Sequence, residues 1–254
     1  MIKSIQRVIL CVMIVPGACF AQSSLGSDAD SLLSAFASYT DLRIRSVQQN
    51  LEILAATSEV KSGQWDTMKG LLGLYQIGDG GLIVWYARPD GTYYTVDKGL
   101  MDVTLADRDY FPNLMAGKNV TGTLVVSKST GQRSAVMAVP VKDGDKVAGA
   151  VGASMFLDRL ADEIGAALAL RSGYVFFALA PDGRTTLHTK TDRHFLDPRE
   201  LGSETLKRAA NEMLANQSGE TKYEFDQAAK TAIYRTSPLT GWKFVITSSG
   251  MPQK

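Results

Sequence analysis

The sequence predicts an α+β protein in which one long N-terminal helix leads into two modules, each a mainly antiparallel sheet with flanking helices. Three observations carry that expectation. An apolar stripe at three- and four-residue steps runs through residues 28–60. From Leu82 onward the apolar period switches to two. A strand–turn–strand unit built on Pro-Asp-Gly occurs twice, at Pro89-Asp90-Gly91 and Pro181-Asp182-Gly183, and marks an internal repeat.

The N-terminus comes first. Lys3 and Arg7 precede a short apolar run from Val8 to Val15, Pro16-Gly17 break it, and the small-residue stretch Ala18-Cys19-Phe20-Ala21 follows. This reads as a secretory signal peptide over residues 1–21, cut after Ala21, with a lipoprotein attached at Cys19 or an uncleaved anchor as the alternatives. The run is well short of the ~20 residues a spanning helix needs. Cys11 and Cys19 are the only cysteines, so a chain starting at Gln22 has no thiol for disulfide, nucleophile or metal. The expected location is periplasmic or secreted.

Residues 22–64 hold the long helix. Leu32, Phe36, Ile44, Val47, Leu51 and Leu54 form its apolar stripe, with Thr40 filling a gap. Ser27 or Asp28 suits the cap. Asp41, Arg43, Arg45, Gln48 and Gln49 read as a solvated face. The first module, 65–165, opens with a helix at Trp65–Leu74 that Gly78-Asp79-Gly80-Gly81 terminates. Strands follow at Leu82–Ala87 and Thr92–Val96, then near 121–127, 134–142 and 146–155, with a helix from Phe156. The second, smaller module, 166–254, has strands at Tyr174–Leu179 and Thr185–His188, a helix at Glu204–Leu214, and closing strands near 220–226, 230–237 and 242–249. Gly149 and Gly152 inside a strand signal close packing or a bulge.

Composition excludes several classes. With 254 residues, 45% hydrophobic content and a formal charge of +1, the chain lacks the basic excess of a nucleic-acid binder. His188 and His194 stand six residues apart with no cysteine to complete a zinc pattern, and read as hydrogen-bonded structural residues. No G-x-S-x-G elbow, phosphate loop or dinucleotide fingerprint occurs. No enzyme activity, metal or cofactor is expected.

The ordered elements resemble the double Cache family of extracytoplasmic sensor domains. The segments carrying the likeness are GLIVWYARPDGTYYTV, DRDYFPNLMAGK, VSKSTGQRSAVMAVPV and VAGAVGASMFLDRL in the first module, and GYVFFALAPDGRTTLH and TGWKFVITSS in the second. The resemblance implies two PAS-like modules, the first membrane-distal and ligand-binding. It also implies that an Arg near position 108 grips a carboxylate and that the aromatics after it line the pocket. Arg108, Tyr110 and Phe111 stand there, and a guanidinium does match a carboxylate bidentately. Read from the residues alone, Arg108 can equally pair with Asp107 or Asp109 while Tyr110 and Phe111 pack as core. Trp85, Tyr93, Ser127 and Lys128 are the candidates for the opposite wall. Alternation prevents Tyr93 and Tyr94 from both facing inward.

The chain departs from the amino-acid-binding subgroup of that family. Tyr110-Phe111 replace its Trp-Tyr, Val103 stands where it has Tyr, and no acid occurs at Ala153 or Ser154 to hold an ammonium. An ammonium desolvated there without a partner would cost several kcal/mol. The expected ligand is therefore a small organic acid without an amine, with Arg108 and Lys128 as counter-charges. No second membrane span or signalling domain follows the second module, so the expected partner is a separate membrane-bound sensor kinase, chemoreceptor or cyclase. A homodimer through the long helix is a further expectation. The alternative is an interaction or dimerisation module without a small ligand.

Overall fold

The structure, a computed structural model, describes residues 26–170 and 173–249. The signal peptide expected at residues 1–21 lies outside them. Helix α1 spans Ser27–Ala56. Its buried line runs through Leu33, Phe36, Thr40, Ile44, Val47, Leu51 and Leu54, so Leu33 takes the place expected of Leu32, which is half-buried. Thr40 fits this apolar face because its hydroxyl donates to Phe36 O one turn back, at 2.9 Å. The helix begins without a side-chain cap: Gly26 precedes it, and Ser27 and Asp28 are already helical. Nor is the opposite face uniformly solvated. Arg43 pairs with Asp79 (2.5 Å), Asp41 accepts from Ser237 Oγ (2.7 Å), and Gln48 Oε1 accepts from Thr121 Oγ1 (2.7 Å).

A short turn, α2 (Ser58–Lys61), and helix α3 (Trp65–Asp79) follow, and left-handed Gly80 closes α3. The next strands are β1 (Leu82–Ala87), β2 (Thr92–Thr95) and β3 (Gly99–Thr104). Helix α4 (Phe111–Met115) then leads to β4 (Val120–Val126), β5 (Arg133–Asp143) and β6 (Lys146–Phe156). These six strands form the first sheet, in the order β3-β2-β1-β6-β5-β4, with antiparallel neighbours throughout. Helix α5 (Leu157–Leu168) connects it to β7 (Tyr174–Leu179) and β8 (Thr185–His188). Helix α6 (Glu204–Ala215) and strands β9 (Ser218–Phe225), β10 (Ala228–Thr236) and β11 (Lys243–Ser249) complete the second sheet, ordered β8-β7-β11-β10-β9.

The repeated turn is the same in both sheets. Asp90 accepts from Thr92 N–H and Asp182 from Arg184 N–H, each at 2.9 Å. The following glycines adopt φ of 87° and 97°, where a side chain is strained. At Gly91 a Cβ would also lie 2.6 Å from Ala106.

One apolar cluster joins both sheets through α1. It contains Val84, Tyr86, Met137 and Val151 from the first sheet and Phe176, Ile233, Phe244 and Ile246 from the second, all against the buried line of α1. The outer faces of the two sheets carry separate clusters. Among the described residues no helix is long and apolar enough to cross a membrane.

Candidate functional site

Strand parity decides which side chains reach the outer face of the first sheet. Val84 and Tyr86 face α1, while Trp85 and Ala87 face outward. Tyr93 is outward and buried, whereas Tyr94 turns the other way and stacks on Trp65 at 5.0 Å. On this outer face a hollow of about 20 Å³ is bounded by Trp85, Tyr93, Arg108, Tyr110, Ser127 and Lys128. Leu105, Val125, Ser129, Val136 and Ser154 complete its wall. Phe111, expected beside Tyr110, is not part of it. It starts α4 and is buried in the apolar cluster with Leu114 and Val120, because successive residues of a helical turn point in different directions.

Hydrogen bonds close the rim. The Arg108 guanidinium donates through Nη2 to Val126 O at 2.7 Å, pairing with neither Asp107 nor Asp109. Lys128 Nζ reaches both oxygens of Asp107 (2.5 and 2.7 Å) and Thr104 O (2.6 Å). That side chain also borders an open groove lined by Thr92, Met101, Asp102 and Asp107, so Lys128 stands between groove and hollow. Ser127 is fixed by the hairpin turn: its Oγ lies 3.1 Å from Ser129 Oγ and accepts from Thr130 N–H at 3.3 Å.

Burial pushes the Tyr110 phenol up to about 12, against the opposing pull of Arg108. Burial raises Tyr93 as well, again opposed by Arg108. Both phenols therefore stay protonated and can donate O–H. The wall thus offers one guanidinium, one ammonium, two phenols and three serine hydroxyls, with no acid among its lining residues. Chemically this receives an anion such as a carboxylate, and holds no carboxylate to pair with a cation. A volume near 20 Å³ holds about one water, so an organic acid enters only if the rim side chains move.

Sequence reasoning passed over Ser154 as part of the wall, whereas Gly152 is one of the glycines it marked for close packing. Ser154 and Gly152 share a face of β6, and Gly152 pairs with Trp85 across the sheet. A Cβ at Gly152 would collide with the Trp85 indole, so glycine there is what lets the ring lie flat on the neighbouring strand. Gly152→Ala is expected to cost about 1–3 kcal/mol through overpacking, measurable by urea denaturation. A cost below the error of that measurement would show that the indole repacks freely.

The two histidines lie in the second sheet's region. Burial pushes His188 down to about 3, and its Nδ1 accepts from Lys190 N–H at 2.8 Å. His194 is fully buried, accepts at Nε2 from His188 N–H (3.2 Å), and meets Asp158 Oδ1 through Nδ1 (2.7 Å). Among the described residues no group of three or more His, Cys, Asp or Glu could hold a metal ion.

A family model described as a Cache domain matches residues 21–250. No curated protein sequence matches the chain. Several solved structures share the fold. The ligand-binding domain of the Pseudomonas aeruginosa PAO1 amino-acid chemoreceptor PctB, in complex with L-Arg, is 17% identical, with 89% of this chain and 96% of that one covered and a TM-score of 0.68. The sensor domain of the V. cholerae histidine kinase DctB is 15% identical, covering 88% and 96%, with a TM-score of 0.67. The sensory domain of the Campylobacter jejuni chemoreceptor Tlp3, with isoleucine bound, is 13% identical, covering 88% and 91%, with a TM-score of 0.65. At such identities the likeness speaks for the fold alone. With the family model spanning both sheets and the helix that joins them, the chain belongs to the Cache family, in its double-module form.

Proposed function

We propose that the chain is an extracytoplasmic sensing protein that binds a small carboxylate lacking an amine in its first module, taken as residues 65–165. Occupancy passes to a separate membrane-bound kinase, chemoreceptor or cyclase, with residues 166–254 as the second module, and no catalysis is involved. The observation that carries this reading is the convergence of Arg108, Lys128, Tyr93 and Tyr110 on one hollow with no acid in its wall. PctB and Tlp3 were solved with L-Arg and isoleucine bound. The ammonium group of such ligands finds no lining carboxylate here. Entry is inexpensive. The Lys128–Asp107 pair is partly exposed, with Asp107 at 62%, and such pairs are worth no more than about 1 kcal/mol. A carboxylate that replaces Asp107 as the partner of Lys128 opens the hollow to the groove beside it.

Thermal shift with a panel of small mono- and dicarboxylates against amino acids is the test. A ligand at a hundredfold excess over its Kd adds about 2.7 kcal/mol, a Tm rise of roughly 5–10 °C for a chain of this size. Arg108→Ala is expected to abolish the rise. A rise unchanged in that variant removes Arg108 from the site. If no carboxylate stabilises the protein while crosslinks form at the exposed Leu42 and Ile53 of α1, the interaction-module reading takes its place.

A further inference from the structure

A second hollow opens on the outer face of the second sheet. Its volume is about 80 Å³, fourfold that of the hollow beneath Lys128. The floor is apolar, with Val175 and Phe177 from β7, Leu206 from α6 and Tyr223 from β9. Phe177, Leu206 and Tyr223 are all less than a tenth exposed. The mouth is cationic: Lys190, Arg193 and Lys230 stand against a single acid, Asp226. Asp226 takes one edge of the Arg193 guanidinium, through Nη2 at 3.0 Å, and the guanidinium lies over the Phe225 ring at 4.8 Å. The other guanidinium donors find no acceptor among the described residues.

His188 forms part of the wall, stacked on Phe177 with ring centroids 6.0 Å apart. Because its Nδ1 accepts from Lys190 N–H, the neutral ring carries its proton on Nε2, and no acceptor among the described residues takes that N–H. The site therefore combines a charged fork, a neutral N–H donor and an apolar floor. A ligand without an apolar body would leave the floor uncovered, whereas an apolar neutral molecule would leave the donors unpaired.

We propose that this hollow is a second ligand site, specific for a small monocarboxylate with a short apolar body, held at its carboxylate by Arg193 and His188 and at its tail by Phe177, Leu206 and Tyr223. The site is independent of the one bounded by Arg108. Its wall continues by hydrogen bonds from His188 to His194 and on to Asp158 in α5, the helix that connects the two sheets.

The test uses the whole protein and its two histidines, which give a simple imidazole 1H–15N spectrum. Isovalerate and benzoate are titrated, with isoamyl alcohol as the uncharged control of similar shape. Saturable movement of the His188 Nε2–H signal is expected with the acids and not with the alcohol. The same movement is expected in Arg108→Ala. Arg193→Gln should weaken binding about tenfold or more, as expected for loss of a charged hydrogen-bond donor. Arg193→Lys, which keeps the charge, should bind with intermediate affinity, and it decides the question if the Gln variant does not fold. The proposal is overturned if neither acid moves the signal, if the movement is the same in both Arg193 variants as in the parent, or if Arg108→Ala removes it.

Discussion

Phe36→Ala is expected to lower the unfolding free energy by about 3–5 kcal/mol, the range for emptying an aromatic site in a close-packed core. Phe36 is fully buried. Its ring lies 4.9 Å from that of Phe176 on β7 and 4.8 Å from that of Phe244 on β11, the latter edge-on at 68°. Aromatic pairs in these arrangements add about 0.5–1.5 kcal/mol each beyond area burial. The residue sits on α1 but its contacts are in the second sheet, so the cavity would open at the joint between helix and sheet, where neither side can collapse without dragging the other. For a chain of this length the loss corresponds to a Tm lower by roughly 6–20 °C. Calorimetry of the variant beside Phe36→Leu, which keeps most of the volume, checks this. A loss below about 1 kcal/mol for the alanine variant, far under the range for such a site, would show that α1 is not anchored through that ring.

Mild acid is expected to destabilise the protein well above the carboxylate range, and His188 is the main reason. Its folded pKa is near 3, held down first by burial and then by Arg193, His194, Lys190 and Lys230, against about 6.5 in the unfolded chain. Between those values the unfolded state binds a proton that the native state refuses. Stability is therefore full above about pH 6.5 and falls as pH drops toward about 3. From about pH 6.5 to 5 the loss from this one group is about 2 kcal/mol, at about 1.36 kcal/mol per unit. His194, lowered by burial against the opposing pull of Asp158, works in the same direction. Asp41, raised by burial, works the other way. Urea titrations at about pH 7, 6 and 5 measure the slope, and His188→Gln should flatten it. A slope unchanged in that variant would place the acid sensitivity elsewhere.

The fold was legible where period and punctuation were strong. Leu82–Ala87, the two Pro-Asp-Gly turns and the amphipathic stretch from Leu157 each announce themselves within a short span of residues. Strand β3 escaped because an edge strand with Asp102, Val103 and Thr104 all exposed shows no apolar alternation to read. Helix α4 escaped because so short a helix holds too few residues for a helical period. In the first hollow, parity alone separated Tyr93 from Tyr94. The partner of Lys128 was not legible: Asp107 lies 21 residues away, in the segment after β3, whereas Lys128 follows β4 at the other edge of the sheet, and no local pattern links the two. The second hollow was beyond sequence reasoning altogether, since its walls gather side chains from Val175 to Thr247.

A helix of thirty residues is about 45 Å long, and α1 presents a single seam along that length to both sheets. Side chains in such a seam interlock, so a slide or roll of one sheet against this strut must be followed by the other or leave gaps along the line. The strut thereby gives two distant pockets a common mechanical reference, without any residue having to touch both.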